Sequence, residues 1–314
     1  MSAPRLQGVL SPVLTPFENT GAPSHERFVR HCRWLLDQGV GLAVFGTNSE
    51  ANSLTVREKR ELLDALVAQG LPTQRMMPGT GACAWPEAVE LTRHALDAGC
   101  AGVLMLPPFY YKGTGDEGMF SYFARVIDEV ADTRLRIYLY HIPPVTQVPL
   151  SLALIERLLD AYPGVIAGVK DSGGDWSHTE AMIRAFQPRG FDVFAGSETF
   201  VLKTMRAGGA GCITATANVN PTAILRLYRD WRAEDADAQQ AALDRTRAIF
   251  QAHPLIAAMK AAIAWKSGDA EWRNLRPPLC PLSAPASAQL EDALARAGFD
   301  IPAAHALSLV AVLD

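Results

Sequence analysis

Ser151-Leu152-Ala153-Leu154-Ile155-Glu156-Arg157-Leu158-Leu159-Asp160-Ala161-Tyr162-Pro163-Gly164-Val165-Ile166-Ala167-Gly168-Val169 contains one complete structural unit. Ser151 is a helix-capping residue, and Leu154, Ile155, Leu158 and Leu159 fall on one helical face. Pro163-Gly164 stops the helix. Val165–Val169 is then a continuous apolar run, as expected of a strand buried on both faces. Outward from this stretch the unit recurs. Strands are expected at Gly8–Leu14, Gly41–Gly46, Arg75–Gly79, Gly102–Leu106, Arg136–His141, Val165–Val169, Asp192–Ala195 and Gly211–Thr214. Thr55 and Glu58 form a capping box before a helix with Leu62, Leu63, Leu66 and Val67 on one face. Pro86 suits a first helical turn, and Gly39, Gly70, Gly99 and Gly208 suit helix ends. Eight strand–helix units without a composition break predict an α/β fold, a closed (β/α)8 barrel over residues 1–235. A doubly wound open sheet is the alternative. Helical patterns at Ala223–Ala233, Ala236–Ala252, Leu255–Lys266 and Ser287–Ala297 exceed what the barrel needs, which predicts a C-terminal helical extension over 236–314.

The 314 residues suit one such barrel, and 49% hydrophobic against 20% charged residues leaves ample material for a core. A net charge of −4 argues against a nucleic-acid partner. No apolar run is long enough to span a bilayer, and Met1–Leu10 lacks the basic flank and apolar core of a signal peptide. The five cysteines are scattered, with no paired metal spacing, so a reduced, cytoplasmic setting is expected. Dinucleotide and phosphate-loop glycine motifs, His-Glu-x-x-His and the Gly-x-Ser-x-Gly elbow are all missing.

In a barrel, polar residues at the C-terminal strand ends face the mouth where chemistry occurs. Here those ends read Gly46-Thr47-Asn48-Ser49-Glu50, Tyr140-His141-Ile142-Pro143-Pro144 and Lys170-Asp171-Ser172-Gly173-Gly174-Asp175. Taken singly, Lys170 reads as an ion-paired or snorkelling residue, Tyr140 as a core aromatic and Thr47 as a turn hydroxyl. Taken together they read as chemistry. A lysine removed from water becomes available as a nucleophilic amine, and an adjacent tyrosine can carry its proton traffic.

With Gly8–Phe17, Gly79-Thr80-Gly81, Pro107-Pro108-Phe109-Tyr110-Tyr111 and Arg276–Leu282, these motifs cover nearly the whole chain. In this order and spacing they resemble the dihydrodipicolinate synthase and N-acetylneuraminate lyase family of class I aldolases. The resemblance implies a TIM barrel with a helical extension, assembled as a homotetramer of two tight dimers, and no cofactor or metal. It implies that Lys170 forms a Schiff base with pyruvate or another 2-oxo acid. Tyr140 is the implied proton carrier, and Thr47 links it to a second tyrosine from the neighbouring subunit. Tyr110 is that tyrosine, with Tyr111 the alternative if the register slips by one. Backbone amides at Thr47 and Asn48 would hold the substrate carboxylate, and Asn48, Ser172, Glu198 and Ile213 are the implied substrate contacts.

Where the family's synthases carry an arginine for a substrate carboxylate, five residues after the tyrosine, this chain has Val145, so no local anion anchor is expected. Arg184 and Arg206 fall on helices and are not expected to reach the mouth. Ser49 stands where a glycine is common, and Lys170–Asp175 resembles the 4-hydroxy-2-oxoglutarate aldolase branch, where the serine contacts substrate. Glu198 matches an acidic sugar-binding residue of the sialic acid lyases. The expected activity is a Schiff-base lyase on a small 2-oxo acid: retro-aldol cleavage releasing pyruvate, or dehydration of a 2-keto-3-deoxy acid. 4-Hydroxy-tetrahydrodipicolinate synthase is the runner-up, and a non-catalytic 2-oxo-acid sensor on the same fold is the reading from a different class.

Overall fold

The computed structural model describes residues 5–310; residues 1–4 and 311–314, the outer ends of the two expected domains and part of the Met1–Leu10 stretch, lie outside the described residues. The described residues form seven strands: β1 (Gly8–Ser11), β2 (Gly41–Leu42), β3 (Val103–Met105), β4 (Ile137–His141), β5 (Ile166–Asp171), β6 (Asp192–Ala195) and β7 (Gly211–Ile213). They form one curled parallel sheet in the order β2-β1-β7-β6-β5-β4-β3. The expected strand at Arg75–Gly79 departs from this regularity. It makes two isolated parallel bridges, Met76 to Leu42 and Gly79 to Leu104. Toward β3, Pro78 interrupts the ladder because it has no N–H to donate. Its neighbours Met77 and Gly79 donate to Leu42 and Val44 at 2.8 and 2.7 Å, and the Pro78 carbonyl accepts from Leu104 at 2.8 Å.

Alternate strand residues feed two separate cores. Val9, Val103, Ile137, Leu139, Val169, Val193 and Cys212 pack outward against helical residues such as Leu35, Leu62, Leu158 and Ile183. Leu10, Ala43, Met77, Leu104, Tyr138, Tyr140, Phe194 and Ile213 fill the inside of the curl. Burial on both faces explains the unbroken apolar strands, each large side chain contributing about 1.5–3 kcal/mol. The helix starts follow the sequence signals. Ser151 Oγ accepts from the Leu154 amide at 3.0 Å. Thr55 Oγ1 accepts from the Glu58 amide at 3.2 Å, while Glu58 accepts from the Thr55 amide at 2.9 Å.

Past β7 come helices Pro221–Arg229, Ala236–Gln251, Leu255–Ser267 and Ala284–Arg296. The first begins and ends before its expected Ala223–Ala233 range, with Pro221 in its opening turn. Ala257 through Ala264 are all buried, the mark of a helix enclosed on every side. No helix among the described residues is long and apolar enough to cross a membrane.

Candidate active site

The central pair depends on an irregularity between β4 and β5. Ile137 lies beside Ile166, the register then shifts by one, and Tyr138, Tyr140 and His141 lie beside Gly168, Lys170 and Asp171. Without the shift Tyr140 would neighbour Val169, which faces the helices; a one-residue slip exchanges the two faces of a strand. Gly168 makes the approach possible. A Cβ there would stand 2.2 Å from the Asp192 carbonyl oxygen and 2.8 Å from the Tyr138 ring.

Tyr140 and Lys170 are only 2% and 1% exposed. Lys170 Nζ donates to Tyr140 Oη at 3.1 Å, and Tyr140 Oη donates to Thr47 Oγ1 at 3.3 Å. Lys170 Nζ also lies 4.2 Å from the centroid of the Tyr140 ring. The strand therefore extends through Lys170 and Asp171, two residues beyond its expected end, and the lysine points inward from it.

Thr47–Ser49 is a single 3-10 turn in which the Ser49 amide donates to Gly46 at 3.0 Å. The Thr47 and Asn48 amides precede that first bond and have no acceptor within the turn. Ser49 fits in place of glycine because the left-handed conformations fall elsewhere, on Phe45 (φ 62°) and Glu50 (φ 56°). Its hydroxyl accepts from the Gly46 amide at 3.2 Å, and its carbonyl accepts from Thr15 Oγ1 at 2.7 Å. Glu50 is buried against Lys260, which also donates to the Asn274 carbonyl at 2.8 Å. Burial holds the Lys260 pKa down to about 8 despite that carboxylate. This pair ties the Thr47–Ser49 turn to the helix Leu255–Ser267.

Thr47, Asn48, Tyr140, Lys170 and Ser172 line one cavity of about 470 Å³ at the strand ends, with Val145 also on its wall. Gly196 leaves room for Ser172, since a Cβ would fall 2.0 Å from its hydroxyl. A wider groove of about 940 Å³ runs along the outer helices between His25 and Gln69 and holds none of these residues. Strand-end chemistry, not volume, singles out the smaller cavity.

The remaining expected residues stand elsewhere. Tyr110 is 72% exposed and packs edge-on against Tyr111 with centroids 5.3 Å apart, off this cavity. Ile213 belongs to the inner core and does not line the cavity. Glu198 is the other expected substrate contact outside the lining. It is buried off the cavity lining, and its carboxylate accepts from Thr214, Thr216 and Arg247. Arg247, from the helix Ala236–Gln251, does line the cavity. Sequence reasoning missed it, although Leu243, Arg247 and Phe250 share one buried helical stripe, an unusual place for an arginine. Arg184 and Arg206 stay on outer helices and pair with Glu180 and Asp237.

On the other face of the β4–β5 pair, His141, Asp171 and His178 lie close enough together to be considered as metal ligands. His141 Nδ1 accepts from the Leu150 amide at 3.1 Å, which leaves the proton of the neutral ring on Nε2, the nitrogen nearer Asp171. Burial pushes the His141 pKa down to about 4. Asp171 accepts from Thr179 Oγ1, the Gly173 amide and His178 at 2.7, 2.9 and 3.4 Å. Burial acts to raise its pKa, but these donors hold it below the usual carboxylate range. The cluster braces the strand ends beside Lys170.

A parallel α/β fold thus carries at its strand ends a hydrogen-bonded chain of a buried lysine, a buried tyrosine and a partly exposed threonine. The chain belongs to the dihydrodipicolinate synthetase family, whose model matches residues 5–297, and it is an enzyme of the lyase class. An uncharacterized DapA-like lyase of Chloroflexus aurantiacus is 34% identical over 90% of this chain and 93% of its own length. The crystal structure of dihydrodipicolinate synthase from Agrobacterium tumefaciens matches with a TM-score of 0.85 at 30% identity, over 93% of this chain and 99% of that one. A prophage protein of the same family from E. coli, solved with pyruvate, matches with a TM-score of 0.84 at 27% identity, over 94% and 99%.

Proposed function

We propose that the protein is a Schiff-base lyase acting on a small 2-oxo acid, by retro-aldol cleavage that releases pyruvate or by dehydration of a 2-keto-3-deoxy acid. The observation that carries this reading is the hydrogen-bonded chain from Lys170 through Tyr140 to Thr47 on the wall of one cavity. The Lys170 amine adds to the substrate ketone and water leaves, giving an imine whose protonated nitrogen is an electron sink. In retro-aldol cleavage Tyr140, with Thr47 as proton partner, takes the proton from the C4 hydroxyl. The C3–C4 bond then breaks, the aldehyde departs and the bonding electrons leave an enamine. Protonation at C3 and hydrolysis return pyruvate and free Lys170. Asn48 and Thr47 amides hold the first carboxylate, and Ser172 contacts the substrate beyond it.

In the same reading Met76–Gly79, bridged to both β2 and β3, is the eighth stave closing the barrel of residues 1–235, and 236–314 form the helical extension. The enzyme is cytoplasmic and a homotetramer, and the exposed Tyr110 enters the neighbouring subunit's site. Confirmed mixed oligomers of Tyr110→Phe and Lys170→Ala chains should then regain activity that neither parent has; no rescue would remove Tyr110 from the chemistry. The activity itself is tested with a panel of hydroxylated 2-oxo acids assayed for pyruvate release and for dehydration. Turnover of one or more is expected. Turnover only of pyruvate with aspartate semialdehyde would replace this reading with the synthase, and binding without any turnover would replace it with the sensor.

A further inference from the structure

Among the described residues lining the cavity, Lys170 and Arg247 are the only cations. Lys170 is committed to the ketone and the Thr47 and Asn48 amides to the adjacent carboxylate, which leaves Arg247 without an assigned task. Its side chain is 9% exposed, and only Nη1 is engaged, with Glu198 at 3.0 Å and Thr214 at 3.4 Å. Nε is buried and has no partner among the described residues, and Nη2 makes no hydrogen bond to them. Glu198 is held in turn by the Thr214 and Thr216 hydroxyls and does not line the cavity, so it fixes the guanidinium from behind. Asp171, the acid on the cavity wall, has its oxygens taken by Thr179, Gly173 and His178. A guanidinium held at Nη1 by Glu198, on the cavity wall and with Nη2 unpaired among the described residues, can give a carboxylate a charge-assisted hydrogen bond.

Building on the Lys170 reading, we infer that Arg247 is a specificity-determining residue and that the substrate is a dicarboxylic 2-oxo acid whose distal carboxylate it holds. The cation missing at Val145 is thereby supplied from the helix Ala236–Gln251, on another part of the cavity wall. A structural clamp between Arg247 and Glu198 alone would require no particular group at the distal end of the substrate.

The two cases separate with three imine-forming probes: pyruvate, 2-oxopentanoate and 2-oxoglutarate. The last two have the same carbon count and differ in a distal carboxylate. For each, the concentration giving half-maximal borohydride trapping at Lys170 is read by peptide mass. Wild type is expected to trap 2-oxoglutarate at concentrations about 10-fold or more below those for 2-oxopentanoate. Arg247→Gln should erase that preference, so that 2-oxoglutarate and 2-oxopentanoate trap at similar concentrations relative to pyruvate. Arg247→Lys keeps a cation beside Glu198, so it guards against misfolding, and should retain pyruvate trapping with a reduced preference. No preference in wild type, or a variant that weakens all three probes alike while still folded, overturns the inference. Absence of a pyruvate adduct in wild type instead overturns the Lys170 reading, and this inference with it.

Discussion

Tyr140 packs its ring beside Lys170 and places its hydroxyl between that amine and Thr47, so structure and proton transfer can be separated at one atom. In Tyr140→Phe the buried ring remains and the hydroxyl is lost. Turnover is expected to fall roughly 100-fold or more, the scale of a lost acid–base group, while imine formation at Lys170 persists. Stopped-flow or steady-state kinetics on the best substrate, beside borohydride trapping, checks both halves; normal turnover would remove Tyr140 from the proton path. Arg247 shows the limit of reading residues singly. Its helix was legible, but the strand ends it would face are some 75–200 residues away in sequence, and only the fold brings them together. Glu198 shows the converse. Its type and position suggested a ligand contact, whereas two threonine hydroxyls and an arginine donate to its oxygens.

At the scale of elements, the one-residue shift between β4 and β5 and the bare backbone at Gly168 put Lys170 beside Tyr140. Gly168→Ala would press a methyl onto the Asp192 carbonyl, too close for ordinary relaxation. A destabilisation of about 1–3 kcal/mol or more is expected, with weaker imine formation, as in overpacked cores. Urea unfolding measures the first and trapping the second; wild-type values in both would show that the shift does not depend on a glycine. Seven strands and the capped helices were readable because burial on both faces leaves continuous apolar runs, and caps have fixed spacings. The register shift was not readable, because apolar runs look the same one residue either way. Arg75–Gly79 has strand-like composition, but Pro78 lacks the N–H that would continue its ladder toward β3.

For the molecule as a whole, two buried imidazoles link stability to pH. Burial lowers the pKa of both His31 and His141 to about 4; His31 hydrogen-bonds Asn218 at 3.0 Å, and His141 accepts from Leu150. A depressed folded-state pKa gives stability that is fully present above the unfolded value of about 6.5 and is lost as pH falls toward 4. Each can withdraw on the order of 3 kcal/mol across that window. His178, whose pKa is raised by its hydrogen bond to Asp171, works in the opposite sense, adding stability below about 6.5 that fades as pH rises through its folded value. The urea midpoint is therefore expected to drop between pH 6.5 and 4.5, less steeply in His31→Phe; a flat profile would show that these rings are not buried neutral. The most direct test of the whole account is borohydride reduction of the enzyme with pyruvate, followed by peptide mapping. One reduced pyruvate adduct, on Lys170, is expected. An adduct on Lys260, whose pKa burial holds down to about 8, or on no lysine at all, would contradict it.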